Sequence, residues 1–192
     1  MSGEAHLEAV ESGLAPTTPG WFCVNARDVA WLTNDDFGGV CIFESDDFVL
    51  DGRPDLDEQT FAQLGFTLRV LMPGKPNGMY HAETDEEDFL VLSGECLLLI
   101  EDQERHLRAW DFVHCPRATG HIFVGAGEGP CVLLAAGGRT EGSRTVYAPS
   151  EVAQRHGASV ETEAHSGREA YAASAKWSLG RPPRWNELPW AK

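Results

Sequence analysis

The chain has 192 residues, of which 42% are hydrophobic, and a formal net charge of −15 at pH 7. This length and composition predict one domain with a buried core and short appendages. So acidic a chain lacks the basic surface needed to bind nucleic acid or an anionic membrane, and no apolar run approaches the roughly 18 residues of a membrane span.

Residues 1–20 are small, acidic and marked by Pro and Gly, which predicts an N-terminal arm. They lack the basic start and the apolar stretch of a signal peptide. Five cysteines follow at positions 23, 41, 96, 115 and 131, with no CxxC pair among them. An odd and dispersed set is typical of reduced thiols, so we expect a cytoplasmic protein.

Residues 21–146 predict a β-barrel, and the pattern is clearest between residues 61 and 138. Short apolar segments such as FTLRVLM, ECLLLIED and CVLLAAG are separated by turn sequences such as PGKPNG and GAGEGP. Short strands at regular spacing, with no competing helical period, predict an all-β sandwich or barrel.

Residues 147–192 predict a C-terminal extension that is helical at first and then rich in Trp and Pro. Ser150 can cap the start of a short helix and Gly157 can end it. The three tryptophans of the tail are expected to pack on the barrel or on a neighbouring chain: Trp177, Trp185 and Trp190.

The stretch MYHAETDEEDFLVLSGE crowds acidic residues in front of an apolar strand. His81 and Glu83 are two residues apart and share a strand face, and Glu87 follows a predicted turn at the start of the next strand. A carboxylate at the mouth of a buried strand is costly unless a positive charge compensates it. No Lys or Arg is near in sequence, Lys75 being the closest. We therefore expect a divalent cation here, with His121 as a further ligand.

Two segments resemble the paired motifs of the cupin superfamily. One is Gly74-x6-His81-x-Glu83-x3-Glu87-x6-Gly94, which is similar to G-x5-H-x-H-x3,4-E-x6-G, and the other is Trp110-x5-Pro116-x-Ala118-x2-His121, which is similar to G-x5-P-x-G-x2-H-x3-N. The resemblance covers roughly residues 61–138. It implies a double-stranded β-helix, or jelly roll, with a divalent metal ion at its mouth and with His81, Glu87 and His121 among the ligands.

The chain departs from these motifs at several positions. Glu83 stands where a second His is usual, and we expect it to be the fourth ligand. Two neutral imidazoles and two carboxylates would leave a divalent site formally neutral, which predicts a weaker attraction for anionic substrates. Trp110, Ala118 and Gly125 replace two Gly and one Asn, and Ala118 is a mild change if the turn needs no positive φ.

Further side chains are candidates for the wall of the cavity. Phe89 and Val91 share the strand face of Glu87, and Phe123 shares that of His121. His114 is expected to be either an acid/base facing the cavity or a structural histidine. The remaining acids of the crowded stretch are expected to form a solvated loop face: Asp85, Glu86 and Asp88.

The residues and the resemblance leave three functions open. The first is a metalloenzyme that acts on a small polar substrate (a carboxylate, a carbonyl compound or a sugar-like molecule) as a dioxygenase, decarboxylase or isomerase. It would hold one divalent ion per chain (Zn, Mn, Fe or Ni), with Zn the ion most expected to be observed. The second is a non-catalytic, metal-dependent binding or sensor protein. The third is a metal-free isomerase-like barrel with His81 or His121 as its base.

We also expect a homodimer, in which residues 1–20 add to the sheet of a partner or lie over it. Jelly rolls have edge strands that need covering. Besides a second copy of the chain, the expected partner is a small-molecule ligand, with no nucleic acid and no membrane.

Overall fold

The structure is a computed structural model that describes residues 3–43 and 63–191. Residues 44–62 of the expected barrel lie outside the described residues. Among those described, no helix has the length and apolar character needed to cross a membrane. The strands are β1 (Leu7–Val10), β2 (Gly13–Pro16), β3 (Leu32–Asn34), β4 (Gly38–Ile42), β5 (Leu64–Leu71), β6 (Ala82–Glu83), β7 (Glu87–Ser93), β8 (Glu95–Ile100), β9 (Gln103–Arg108), β10 (Phe112–Cys115), β11 (His121–Ala126), β12 (Cys131–Gly138), β13 (Thr145–Val146) and β14 (Ser178–Leu179). The helices are α1 (Glu151–Gln154) and α2 (Gly167–Ala170), and 3-10 turns span Trp185–Glu187 and Pro189–Ala191.

Two antiparallel sheets make up the body of the protein. The larger has the strand order β10-β7-β12-β5-β4-β3-β14 and the smaller has the order β11-β8-β9. Between them, Phe89, Val91 and Leu133 of the larger sheet pack in one core with Leu98 and Phe123 of the smaller. This is a mostly β jelly roll, so the predicted fold class, a double-stranded β-helix, is confirmed.

Strand register arranges the inward face of the larger sheet in three rows. Alternate residues on a strand face the same side, so residues paired across β7, β12 and β5 form rows on that side. The rows are Glu87–Gly137–Gly65, Phe89–Ala135–Thr67 and Val91–Leu133–Arg69.

The turns at the motif positions adopt the left-handed backbone conformation that favours glycine. Gly94, between β7 and β8, has φ 75°, and a Cβ there would lie 2.5 Å from the carbonyl oxygen of Pro130. Trp110 and Ala118 stand where the motif usually has glycine, and their φ angles are 76° and 63°. The condition under which Ala118 would be a mild replacement, a turn that needs no positive φ, is therefore not met, because a residue with a Cβ is strained in this region.

The N-terminal segment folds onto its own chain. Strands β1 and β2 form a hairpin. A β-bridge between Leu14 of β2 and Val29 joins this hairpin to the segment before β3. The Ser12 hydroxyl donates to the carbonyl oxygen of Trp31 (2.7 Å) and accepts from its backbone N–H (3.0 Å). The segment, which was predicted to be an arm that reaches a partner, is therefore a hairpin docked on its own chain.

The end of the C-terminal extension covers the outer side of the larger sheet, whereas its helix α1 packs on residues of the smaller sheet. Ser150 caps α1 by accepting from the backbone N–H of Ala153, as expected. The indole of Trp31 lies between two tail tryptophans, with ring centroids 5.8 Å from Trp185 and 5.2 Å from Trp190. Trp177 packs against Leu32, Val40 and Ile42, so all three tail tryptophans contact their own chain, which is one of the two expected arrangements.

Candidate metal centre

Two histidines are brought side by side by a short antiparallel bridge between the segments before β6 and at the start of β11. The backbone N–H of His81 donates to the carbonyl oxygen of His121 (3.2 Å), and the N–H of His121 donates back to His81 (2.9 Å). Residues paired in this way project their side chains to the same side of a sheet. The two imidazole centroids are 5.0 Å apart.

Glu87, the first residue of β7, completes a cluster with these histidines. One potential ligand atom from each of His81, Glu87 and His121 lies within 4.8 Å of the others. Nε2 of His121 lies 3.4 Å from Oε2 of Glu87. The structure therefore brings together the three residues that match the family's ligands.

Backbone hydrogen bonds set the tautomer of both imidazoles. Nδ1 of His81 lies 2.8 Å from the carbonyl oxygen of Met79, and Nδ1 of His121 lies 3.0 Å from that of Thr119. A carbonyl oxygen only accepts, so each Nδ1 carries the proton and each Nε2 keeps a free lone pair. The remaining lone pairs and the carboxylate form a donor set that fits a divalent cation.

Burial makes the charged forms of these three side chains unfavourable when no cation is bound. Only 2% of the His121 side chain is exposed, and burial, followed by the proximity of His81, lowers the pKa of His121 to about 3. Burial also raises the pKa of Glu87 above its ordinary value, and the nearby Glu83 carboxylate raises it further. A bound cation would favour the deprotonated form of each group.

Glu83 lies beside the cluster, outside the group of three. Its Oε1 is 3.9 Å from Nε2 of His81 and accepts a hydrogen bond from the Thr145 hydroxyl at 3.4 Å. Burial raises the pKa of Glu83, while the Thr145 hydrogen bond opposes this. Its role as a fourth ligand stays a prediction.

A cavity of about 190 Å³ opens over the three residues. Phe89 and Phe123 lie in its wall, where both were expected. Val91 is fully buried in the core beneath and is not part of the wall. His114 is on the outer side of β10, 49% exposed, with Nδ1 2.7 Å from a carboxylate oxygen of Asp88. The cavity-facing interpretation of His114 is therefore wrong, because alternation on β10 turns it away from Cys115, which is buried.

Two arginines that sequence reasoning missed also line the cavity. Arg69 comes from β5 and Arg139 from the end of β12. No Lys or Arg is near Glu87 in the sequence, but the sheet register brings Arg69 to the same cavity. The sequence did offer a signal for Arg69, because an arginine interrupts the apolar segment FTLRVLM at a position that faces inward.

The C-terminal extension contributes a second layer of aromatic rings. The Tyr147 ring lies 5.7 Å from the imidazole of His81, and Tyr171 packs against Tyr147 at the same distance. The Tyr171 hydroxyl accepts from the backbone N–H of Met79, whose carbonyl oxygen holds Nδ1 of His81. The extension therefore supports the peptide that orients a predicted ligand.

Fold and site together define a jelly-roll protein with a centre of two histidines and one carboxylate. Residues 67–137 match the family model described as "Cupin domain". Residues 67–137 are therefore a cupin domain, as the two motifs predicted. No curated protein sequence matches the chain.

Several solved structures resemble the chain. One from Acidithiobacillus ferrooxidans, named for an assumed sugar phosphate isomerase activity, is 31% identical with a TM-score of 0.40, and the match covers 44% of this chain and 54% of that one. A sugar phosphate isomerase from Silicibacter pomeroyi is 21% identical (TM-score 0.45; 57% and 71% covered). The polyketide cyclase RemF from Streptomyces resistomycificus is 18% identical with a TM-score of 0.47, and the match covers 62% of this chain and 79% of that one. The chain thus spans about half the length of the first. At TM-scores as low as these, the likenesses say nothing about its substrate.

Proposed function

We propose that the chain is a metal-dependent enzyme acting on a small polar molecule. One observation carries the proposal: three potential metal ligands, His81, Glu87 and His121, face a cavity, and Glu83 stands beside them outside the group. Three protein ligands with open positions are typical of catalytic centres, whereas structural sites are closed by four. Two histidines and one carboxylate suit Fe²⁺, Zn²⁺, Mn²⁺ or Ni²⁺.

Glu83 is the group we propose as proton carrier. When bound, the metal ion would supply Lewis-acid polarisation of a substrate oxygen. The Glu83 carboxylate lies 3.9 Å from Nε2 of His81, at the same cavity, and the hydrogen bond from Thr145 holds it there. A positioned carboxylate is suited to take a proton from a substrate and return it. This favours an isomerase or a decarboxylase over a dioxygenase.

The experiment begins with metal-free protein titrated with Mn²⁺, Fe²⁺ and Zn²⁺ and analysed by mass spectrometry. We expect one ion per chain, and strong loss of occupancy in His81→Ala. Glu83→Gln should keep the ion if Glu83 carries protons, and should lower the metal affinity clearly if Glu83 is a ligand. Full occupancy in His81→Ala would contradict the assignment of the centre.

Turnover is then tested with a panel of small hydroxy acids, keto acids and sugars, with and without oxygen. We expect product formation only in the metal-loaded protein, unchanged under anaerobic conditions and lost in Glu83→Gln. Oxygen consumption would favour the dioxygenase. Tight binding of a panel member without turnover would favour the non-catalytic binding protein instead.

We also propose that the protein works in a reducing compartment, the cytoplasm. All five cysteines are free, and those at positions 41, 96, 115 and 131 are buried in the core. Buried free thiols are typical of reduced proteins. Mass analysis with a thiol-reactive reagent, on denatured protein taken from cells, should find all five modified.

A further inference from the structure

Arg69 is a cation on the inward face of the larger sheet. It occupies the third row, beside Leu133 and Val91, which are both fully buried. Its long side chain reaches from this apolar row into the cavity that Glu87 and His121 also line. An arginine stays protonated in such a position, and a buried charge is costly unless something opposite compensates it.

The compensation within the described parts of the chain is indirect. Among the ion pairs of the described residues, none joins Arg69 to a carboxylate. Glu87 and Glu83 attract its charge from farther away. A divalent ion bound at the centre would draw on these same carboxylates, and Arg69 would then need another anion.

A second arginine adds to the positive charge of the cavity. Gly65 and Gly137 form the outer row together with Glu87, and a Cβ at Gly65 would collide with the guanidinium of Arg139. Counted over Glu83, Glu87, Arg69 and Arg139 alone, the two arginines balance the two carboxylates, so a bound divalent ion would add two positive charges to these described side chains.

The cavity also offers neutral donors and a narrow size. Oδ1 of Asn77 accepts a hydrogen bond from the backbone N–H of Phe123 at 3.0 Å. The amino group of the Asn77 side chain is thus left as a donor. Thr67 lies one row outward from Arg69. The cavity volume of about 190 Å³ is smaller than that of pockets that hold drug-sized ligands. The cavity therefore suits a molecule of few heavy atoms.

We propose that Arg69, assisted by Arg139, forms an anion-binding subsite for a carboxylate or phosphate group of the substrate. The substrate of this centre is then a small organic anion, bound by the guanidinium at one end and presented to His81, Glu87 and His121 at the other. Guanidinium groups bind both oxyanions through paired hydrogen bonds. This inference rests on the proposed function, because it needs the metal ion to unbalance the charge.

The test compares anionic ligands with neutral counterparts on Mn²⁺-loaded protein by titration calorimetry. Glycolate is paired with its neutral counterpart glycolamide, and glycerol 3-phosphate with glycerol. Wild-type protein should bind one or both anions at least about tenfold tighter than the neutral partner, as expected for a charge-assisted hydrogen bond. The larger of the two ratios identifies carboxylate or phosphate as the group bound.

Variants assign the preference to Arg69. Arg69→Met should reduce the ratio to about that given by the metal ion alone, a loss of about tenfold, while Mn²⁺ affinity stays the same or rises. Arg69→Lys should keep part of the ratio because it keeps the charge. Arg105→Met, on the exposed face of β9, is the matched control and should change nothing. If Arg69→Met does not fold, the affinity ratios of Arg69→Lys and of wild-type protein still test the subsite.

Two outcomes separate this inference from the function on which it rests. If wild-type protein binds Mn²⁺ but shows no preference for either anion, or if Arg69→Met keeps the full ratio, the subsite is overturned and the metal centre stands. If wild-type protein binds no divalent ion, the proposed function falls and this inference falls with it.

Discussion

Ala118 shows how one residue carries strain next to the candidate site. Its φ is 63°, and its backbone N–H donates to the carbonyl oxygen of Glu83 at 2.7 Å, so the turn that holds it also braces β6. A side chain in the left-handed region costs about 1–2 kcal/mol, which glycine avoids. Glycine in turn loses more entropy on folding, by about 0.5–1 kcal/mol.

The first prediction is that Ala118→Gly stabilises the protein by up to about 1 kcal/mol, the difference between these two effects. Trp110→Gly should act in the same direction, because its side chain is 75% exposed and loses little packing. Urea unfolding checks both variants. Ala172→Gly is the control, at a position without positive φ, and should be neutral or destabilising. Equal destabilisation at positions 118 and 172 would contradict the argument.

At the scale of elements, the loop after β12 is held by Asp85, an acidic residue that was predicted from the sequence to be exposed to solvent. Asp85 is only 4% exposed, so its prediction as part of a solvated loop face is wrong. It accepts from the Thr140 hydroxyl at 2.5 Å and from the Thr140 backbone N–H at 3.0 Å. This loop leads to Thr145, the hydrogen-bond partner of Glu83, so Asp85 acts on the site through the loop.

Asp85→Asn is therefore predicted to destabilise the protein by about 1–3 kcal/mol. The amide presents one amino group where the carboxylate presented an acceptor, and a buried donor then faces another donor. Thermal unfolding measures the loss. Glu86→Gln, in the same turn, is the matched control and should be close to wild type. An unchanged melting temperature in Asp85→Asn would show that the loop does not depend on this contact.

Helix α1 is linked to β9 through a surface carboxylate. Glu104 accepts from Arg155 at 2.8 Å and lies 3.2 Å from Nε2 of His156. The hydrogen bond from Arg155, and then that from His156, lowers the pKa of Glu104 below its ordinary value. A carboxyl group with a lower pKa in the folded state contributes stability above its unfolded pKa and loses it as the pH falls through the folded value.

We accordingly predict that Glu104→Gln slightly lowers the melting temperature at pH 7. The difference from wild type should shrink as the pH falls below about 4.5, the range in which the carboxylate takes up a proton. The effect is small because the pair is exposed, and salt should weaken it. Melting curves between pH 3 and pH 7 check this, with the exposed Glu161→Gln as the control. A difference that grows toward low pH would contradict the sign.

At the scale of the whole molecule, the expected homodimer stays a prediction, although its expected contact changes. The N-terminal hairpin is docked on its own chain, so it is less suited to reach a partner. Within the described strands, β10 is an edge of the larger sheet, and Phe112 on it is 62% exposed, next to the exposed Trp110. An exposed apolar edge strand can pair with a second copy about a twofold axis.

Light scattering at micromolar concentration should give twice the chain mass of 21.0 kDa. Phe112→Glu should shift the protein to the monomer, since a charge at the centre of the contact opposes pairing. Trp21→Glu replaces an aromatic residue that is 55% exposed elsewhere and should leave the mass unchanged. A wild-type monomer would contradict the prediction, and a dimer unaffected by Phe112→Glu would place the contact on another surface.

The sequence by itself determined the strand pattern of the barrel and the three clustered residues His81, Glu87 and His121. These are properties of neighbouring residues: alternation, turn chemistry and the spacing of a motif are all readable along a contiguous stretch. The motif also indicated where the chain departs from its family, at Glu83 and Ala118. It could not show that the backbone at Ala118 is left-handed, because that depends on how the turn docks on β6.

Only the tertiary structure decided which charges share the cavity. Arg69 meets Glu87 through β12, whose register with β5 and β7 joins residues far apart along the chain. Burial could not be predicted from the sequence either. Asp85 is buried and His114 is exposed, although both are polar residues. The physical reason is that electrostatic compensation and burial depend on distances in space, and a sheet sets these by pairing distant segments.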